Sequence, residues 1–125
     1  MLTIESEDAL PNEIWAAVTP VYYLSNMGRW YSVRKRHIMR QEPNSSGYLR
    51  ANLWINGRRK HVLTHIKVVE IFGDCYGNRI PYGAITLREL GLSIDHRDRN
   101  TNNNTQYNLE LVTHQENCKR KFYRP

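Results

Sequence analysis

An aspartate followed directly by a histidine, Asp95-His96, is the pair in this chain best suited to chemistry. A histidine side chain has an ordinary pKa of about 6.5, so beside a bound metal ion it can take a proton from water near neutral pH. Asn117 follows later in the chain, and its amide oxygen together with the Asp95 carboxylate suits a hard cation such as Mg²⁺ or Mn²⁺. Because such an ion keeps positions open for a phosphate, these three residues suit the hydrolysis of a phosphodiester bond.

Other interpretations of the polar side chains stay open. The Asp-His pair could be a solvated part of a capped hairpin with a purely structural role. His114 lies three residues before Asn117 and is the main rival as a metal ligand. His65 begins a predicted helix, where packing or hydrogen bonding is commoner for a histidine than catalysis.

A hairpin followed by a helix is predicted to position the candidate residues. Residues 92–95 form a strand in this prediction, and residues 109–112 form its antiparallel partner. Thr113-His114-Gln115-Glu116 has the capping-box pattern that begins a helix, and this helix carries Asn117. Packing the helix on the hairpin can bring Asn117 opposite Asp95. The asparagine-rich loop between the strands can be ordered by Asx-turns, without a core of its own.

The N-terminal half is predicted to be a small antiparallel sheet. Residues 21–24 and 29–33 are rich in aromatic and β-branched side chains, and residues 38–40 can add a short strand. Asn56-Gly57 joins segments 48–55 and 58–63, and this dipeptide is the strongest short hairpin signal.

Helical spacing follows this sheet. Thr64 is the predicted N-cap of a helix that runs to Phe72, and Gly73 is its stop signal. Residues 74–84 are predicted to be an irregular loop. The capping-box pattern that begins at Thr86 predicts a short helix that ends at Gly91.

Positive charge is concentrated in the middle of the chain. The 125 residues carry a net charge of +6, and Glu42 is the only acid between Arg29 and Lys67. Such density, with tryptophan and tyrosine among the cations, predicts a nucleic-acid partner. The predicted DNA-binding residues are Arg29, Arg34, Lys35, Arg36, Arg50, Arg58, Arg59, Lys60, Lys119 and Arg120.

Only some members of each basic triplet can meet one duplex, because neighbouring residues of a strand point to opposite faces. We expect Arg58 and Lys60 together to contribute phosphate contacts. The alternative is that these charges are merely solvated and that the affinity for DNA comes from Lys119, Arg120 and Lys121 on the last helix.

Composition excludes several other classes of protein. Cys75 and Cys118 lie far apart and cannot form paired zinc knuckles, so no structural zinc is expected, and free thiols are favoured over a disulfide. The N-terminus lacks the basic start and apolar run of a signal peptide, and no apolar stretch is long enough to span a bilayer. We therefore expect a soluble cytoplasmic protein, in a bacterial host if a phage carries the gene, with no membrane partner.

Several separated motifs, in this order, resemble the HNH endonucleases, in particular the phage and homing-type branch. The resembling segments of the C-terminal half are residues 65–72, 95–103, 108–113 and 116–117. Upstream, Glu13-Ile14-Trp15 and residues 23–29 are similar to a small β module often fused to these nucleases. The resemblance divides the chain into a β DNA-binding module at residues 1–63 and a nuclease unit at residues 64–125.

The resemblance implies an α+β fold, in which a small antiparallel β module precedes a ββα-metal nuclease unit. It also implies metal-dependent cleavage of double-stranded DNA with one Mg²⁺ or Mn²⁺ ion, by a monomer or a homodimer. His96 would be the general base, Asn108 would tie the loop by hydrogen bonds, and Asp95 and Asn117 would hold the ion. A DNA-binding regulator without cleavage activity and an RNA-directed nuclease are the alternatives.

Overall fold

The computed structural model describes residues 10–80 and 87–123 of the chain, and side chains of the last helix as far as Arg120. That part of the chain is an α+β arrangement of three antiparallel sheets and three α-helices. The α+β class expected from the sequence is therefore confirmed.

The first sheet is a four-stranded meander. Its strands, in spatial order, are β1 (Trp15–Thr19), β2 (Tyr22–Ser25), β3 (Trp30–Ser32) and β4 (His37–Ile38). The turn between β2 and β3 includes Gly28, whose φ of 76° is a conformation that glycine adopts without strain. Strand β1 was not predicted, because its two alanines are weak strand formers and pairing with β2 overrides their preference.

The second sheet contains the predicted hairpin. Its strands, in spatial order, are β5 (Glu42–Pro43), β6 (Leu49–Ile55) and β7 (Arg58–Leu63). Asn56 and Gly57 both have positive φ, at 53° and 73°, which confirms the two-residue turn. The expectation of one N-terminal sheet is wrong. Strand β5 has only two residues, and Pro43 has no N–H to donate, so in the described residues no ladder joins it to β4.

Helix α1 (Thr64–Phe72) packs against the second sheet and buries Val68 and Val69. Gly73, at a φ of 90°, ends it as predicted. The prediction of Thr64 as N-cap is wrong, because the cap position is Leu63 and has no side-chain bond. The buried hydroxyl of Thr64 instead accepts a hydrogen bond from Trp30 Nε1 at 3.0 Å and donates one to Gln41. This hydroxyl therefore joins the helix to the first sheet.

The C-terminal half is the predicted hairpin and helix. A short helix α2 (Leu87–Leu90) precedes β8 (Leu92–His96), which pairs with β9 (Leu109–Thr113), and α3 (His114–Tyr123) follows directly. Thr113 Oγ1 accepts the N–H of Glu116 at 3.0 Å, so the predicted cap of α3 is confirmed. The capping residue predicted for α2, Thr86, lies outside the described residues.

One hydrophobic core joins all these layers. It contains Leu24 and Trp30 from the first sheet, Leu53 from the second, Val69 from α1 and Leu109 from β9. The core therefore continues across residues 63 and 64, and the division of the chain at that point stays a prediction. Both cysteines are free thiols, as expected. Among the described residues, no helix has the length and apolarity needed to cross a bilayer.

Candidate active site

Asp95 and His96 are the last two residues of β8, and both are buried. Successive side chains of a strand point to opposite sides, so the two residues meet different parts of the molecule. Asp95 faces Arg120 of α3, whereas His96 meets Asn104 of the following loop. The end of β8 therefore carries a carboxylate and an imidazole as neighbours, and each is held by a different partner.

A cavity of ≈ 280 Å³ lies where β8, the loop after it and α3 meet. Its lining residues are Tyr48, Ile94, Asp95, His96, Arg99, Thr101, Asn117 and Arg120. The three residues that the sequence singled out for chemistry are thus brought together at one cavity. Tyr48 adds a side chain from the N-terminal half, which sequence reasoning did not assign to the site.

The imidazole of His96 is tightly surrounded. Its Nε2 lies 2.7 Å from Asn104 Oδ1. Its ring centroid lies 5.9 Å from that of Tyr48 and 5.3 Å from that of His65. With Nε2 engaged, Nδ1 is the ring nitrogen that remains for a water molecule.

His65 stacks on Tyr48 with ring centroids 4.8 Å apart and is buried. Burial, and then the nearby His96, lowers the pKa of His65 to about 4. The ring is therefore neutral at neutral pH, and it does not line the cavity described above. This placement agrees with the packing interpretation of His65.

The loop between β8 and β9 is ordered by its own side chains, as the asparagine content predicts. The Asn108 amide donates to Asp98 Oδ1 and to the carbonyl of Asn103, both at 2.8 Å, and its Oδ1 accepts the N–H of Asp98 at 3.0 Å. Hydrogen bonds from Asn103, the Asn100 backbone and Asn108 lower the pKa of Asp98. Asn108 thus lies at the centre of the loop, where it was expected to tie the chain.

Arg120 is the counter-ion of this site. Its Nη1 lies 3.0 Å from Asp95 Oδ2 and 2.9 Å from Glu110 Oε1, and its Nε lies 3.3 Å from Glu116 Oε1. Hydrogen bonds, first of all from Glu110, raise the pKa of the Arg120 guanidinium. The sequence signal for this role was the i,i+4 spacing from Glu116. Its predicted contact with DNA stays a prediction.

His114, the rival ligand, is exposed and is not among the residues that line the cavity. Its Nδ1 lies 3.1 Å from the Oγ of Ser93, which lies two residues before Asp95 on β8. The assignment of Asp95 and Asn117 as metal ligands stays a prediction.

A second concavity, a groove of ≈ 600 Å³, lies between the first two sheets. Its basic lining residues are Lys35, His37, Arg40, Arg50, Arg59 and His61. Glu42 is the one acid in that lining, and the exposed ring of Trp54 lies beneath the Arg59 guanidinium, 5.7 Å from centroid to Cζ. We call this concavity the basic groove.

The predicted DNA-binding residues divide into groups. Lys35, Arg50 and Arg59 line the basic groove. Other exposed cations lie outside it, and these are Arg34, Arg36, Arg58, Lys60 and Lys119. Arg29 is ion-paired with Glu13 at 2.6 Å.

The register of the hairpin explains why Arg59 and not its neighbours reaches the groove. Paired residues of an antiparallel ladder share a face, and Arg59 is paired with Trp54. Lys60 is paired with the buried Leu53, and Arg58 with Ile55, so these two cations belong to the opposite face of the hairpin. The pair that we expected to act together thus shares a face, but not that of the basic groove.

Comparison with known proteins agrees with this geometry. Residues 62–119 match the family model of the HNH endonucleases. The chain is 30% identical over 103 residues to the DNA endonuclease I-HmuI of Bacillus phage SP01, covering 82% of this chain and 52% of that protein. It is 26% identical over 97 residues to the H-N-H endonuclease F-TflII of Escherichia phage T5, covering 78% and 45%. The chain therefore spans about half the length of these relatives.

A solved structure is also similar to this chain. The structure described as "DNA binding and cleavage by the HNH homing endonuclease I-HmuI" superposes with a TM-score of 0.67 and 27% identity, over 89% of this chain and 59% of that one. The superposition extends beyond the matched family segment into the N-terminal sheets. With a β8–β9–α3 unit that gathers Asp95, His96 and Asn117 at one cavity, residues 62–119 of this chain form a unit of the HNH endonuclease type.

Proposed function

We propose that the protein is a metal-dependent DNA endonuclease that hydrolyses phosphodiester bonds at the cavity between β8 and α3. The observation that carries the proposal is the meeting of Asp95, His96 and Asn117 at this one cavity. Each comes from a different position of the ββα unit: the last two residues of the first strand and the first turn of the helix. A capped hairpin without function has no need to gather them.

The donor set at the cavity fits a hard divalent cation. Asp95 offers a carboxylate oxygen and Asn117 an amide oxygen, and hard cations such as Mg²⁺ and Mn²⁺ prefer oxygen ligands. Among the described residues, no group of three His, Cys, Asp or Glu side chains could hold a metal. With only two protein ligands, waters and a phosphate oxygen would complete the coordination. Arg120 engages Oδ2 of Asp95 at 3.0 Å and holds this carboxylate at the cavity.

The chain's own residues account for the proton transfer. His96 takes a proton from water at Nδ1, because Nε2 is bonded to Asn104. The resulting hydroxide attacks phosphorus in line, and the bond from phosphorus to the 3′ oxygen breaks. The departing oxygen takes a proton from water, so the products are a 5′-phosphate and a 3′-hydroxyl. A divalent cation, when bound, supplies the positive charge that offsets negative charge on the phosphate and the departing oxygen. One such site cuts one strand, so a single copy nicks duplex DNA.

The basic groove holds the DNA beside the cavity. Tyr48 lines the cavity, and Arg50, Asn52 and Trp54, at alternate positions along β6, line the groove. Because alternate residues of a strand share a face, one continuous face leads from the active site into the groove. At about 3.3 Å per residue, this track is ~20 Å long. It matches about six base pairs of duplex, at ~3.4 Å each along the axis.

A buried polar atom in the groove also favours an anionic ligand. Arg50 Nε has no hydrogen-bond partner in the described part of the chain. A buried donor without a partner costs stability, and a phosphate oxygen would supply the missing acceptor once the Arg50 side chain turns toward the groove. The cations that line the groove would supply the remaining attraction for the DNA backbone.

A supercoiled-plasmid assay tests the proposed function directly. Purified protein incubated with Mg²⁺ or Mn²⁺ should convert supercoiled plasmid to the nicked form, and a chelator should stop the conversion. Protein that binds the plasmid but leaves it supercoiled with every divalent ion would instead be a DNA-binding regulator. Competition by duplex RNA as effective as that by duplex DNA would point to an RNA-directed protein.

A further inference from the structure

The hydrogen bond between His96 and Asn104 determines more than the position of a ring. Both residues are buried, with exposed fractions of 5% and 2%. The amide oxygen of Asn104, at 2.7 Å from Nε2, can only accept a hydrogen bond. A neutral imidazole carries one N–H, so with the Asn104 oxygen facing the ring the proton lies on Nε2 and the lone pair on Nδ1.

The other end of the Asn104 side chain shows that this bond is its main polar interaction. Asn104 Nδ2 is buried and has no hydrogen-bond partner among the described residues. A buried amide that leaves its own donor without a partner is costly. Among the described residues, the contact with His96 is thus the one hydrogen bond that the Asn104 side chain makes.

The turn between β2 and β3 supports Asn104 from behind. A Cβ atom placed on Gly28 would lie 2.8 Å from both the Cβ and the carbonyl oxygen of Asn104, which no real Cβ tolerates. Two residues further along the loop, the N–H of Gln106 donates to the carbonyl of Asn26 at 2.7 Å. Asn26 is itself buried and bonded to Ile14. The turn between β2 and β3 thus holds the loop after β8 in the position where Asn104 contacts His96.

We propose that Asn104 is a positioning residue that holds His96 in the tautomer with a basic Nδ1, and that the Gly28 turn holds Asn104 in place. This inference rests on the proposed function, because His96 acts as the base there. It gives the N-terminal half a second task besides contact with DNA: it determines which nitrogen of the catalytic ring can take a proton.

Nitrogen-15 NMR of labelled histidine tests the tautomer without any cleavage reaction. In the wild type, the neutral His96 ring should show the Nε2–H pattern, assigned by comparison with His96→Ala. In Asn104→Leu, which keeps the volume but has no acceptor, this pattern should give way to a mixture of tautomers. A wild-type ring with its proton on Nδ1 would overturn the inference even if the protein cleaves DNA.

Single-turnover cleavage tests the consequence. Asn104→Leu should lower the rate constant by about 10- to 100-fold, with DNA affinity unchanged; this is the range for losing the hydrogen-bond partner of a metal ligand, and we expect the same for the base. Asn104→Asp keeps the acceptor oxygen. At a pH where NMR shows that its His96 ring is neutral, this variant should retain most of the wild-type rate. An Asn104→Leu variant that is folded and cleaves at the wild-type rate would overturn the proposal. A wild type that cleaves nothing would refute the proposed function but leave the tautomer measurement intact.

A matched pair of glycine variants tests the turn. Gly28 and Gly77 have similar positive φ values, 76° and 83°, so alanine strains the backbone similarly at both. Only at Gly28 does the new Cβ meet Asn104, whereas nothing lies within 4 Å at Gly77. Gly28→Ala should therefore shift the His96 tautomer and slow cleavage, and Gly77→Ala should do neither. Equal tautomer patterns in the two variants would show that the turn does not act through Asn104.

Discussion

The loop that connects β8 to β9 and the hairpin of β6 and β7 both belong to antiparallel strand pairs. Their polar side chains differ, however, in whether they bond within the protein or face solvent. In the loop, the side chain of Asn108 alone makes three hydrogen bonds within its own segment, and Asn104 is buried against His96. In the hairpin, residues 58–61 are all exposed, although Arg59 stacks on Trp54.

The function that we propose accounts for this difference. Proton transfer needs one geometry within fractions of an ångström, so the polar groups of the loop bond to one another and to the turn behind them. Attraction of a phosphate backbone needs charge that is available to a partner, so the cations of the hairpin stay in solvent. Substitutions should therefore affect the rate of cleavage in the first region and the affinity for DNA in the second.

The largest effect is expected at His96. Replacing it by alanine removes the base and should slow cleavage at least ~100-fold, the low end of general-base effects, while the basic groove still binds DNA. Rates from the plasmid assay and affinities from fluorescence anisotropy measure the two quantities separately. His114→Ala is the matched control, because that histidine is exposed and outside the cavity. A purified His96→Ala protein that cleaves at the wild-type rate would contradict the assignment of His96 as the general base.

The metal ligands are expected to give the next effect. Asp95→Ala and Asn117→Ala should each weaken Mn²⁺ binding at least ~10-fold, since even outer partners of metal ligands contribute that much. Isothermal titration calorimetry measures this affinity directly. Loss of binding in His114→Ala alone would mean that the ligand set is wrong.

The local parts of this site could be predicted from the sequence. Strand alternation, the Thr113 cap and the Asn56-Gly57 turn are all signals within a few residues, and each is present in the structure. The meeting of Asp95 with Asn117 followed, because a hairpin and the helix directly after it leave few ways to pack.

The distant parts could not be predicted, because they depend on tertiary contacts. The loop contains five asparagines between residues 98 and 108, and only the folded structure, in which Asn104 packs against the turn at Gly28, shows which of them lies beside His96. Thr64 looked like a cap by its position, but its hydroxyl bonds to Trp30 from another sheet. The alternation of side chains along a strand predicted that the Arg58-Arg59-Lys60 triplet divides between two faces. Which residue faces the basic groove is known only from the pairing of β7 with β6.

The basic groove gives a smaller, salt-dependent effect. Lys35→Ala with Arg59→Ala removes two cations from its lining, and each lost phosphate contact should reduce the slope of log affinity against log salt by about 0.9. The slope should therefore flatten by up to about 2, with binding weakened similarly on all sequences. The matched control is Arg58→Ala with Lys60→Ala, which removes the same two residue types from the opposite face.

Either outcome of that comparison is informative about where DNA lies. If the control pair flattens the slope and the groove pair leaves it unchanged, the groove is not the binding surface and the outer face of the hairpin is. If neither pair changes the slope, the same titration on Lys119→Ala tests the exposed cation of α3.

The smallest effect concerns stability and the buried ring beside the base. In the folded protein, burial and His96 lower the pKa of His65 to about 4, whereas an unfolded histidine titrates near 6.5. Between these two values the unfolded chain binds a proton that the folded chain does not. Stability is therefore fully present above pH ~6.5 and falls as the pH drops toward ~4, by up to about 3 kcal/mol from this residue.

His65→Phe removes this titration but keeps an aromatic ring to stack on Tyr48. The free energy of unfolding in urea, measured at pH 7 and at pH 4.5, should fall less for the variant than for the wild type, because every other acid and base titrates in both. Cleavage at pH 7 should change little, since a neutral ring outside the cavity takes no proton there. Equal losses of stability in the two proteins would mean that His65 accepts its proton in the folded state. A large loss of cleavage with stability unchanged would make His65 part of the chemistry, against its assignment to packing.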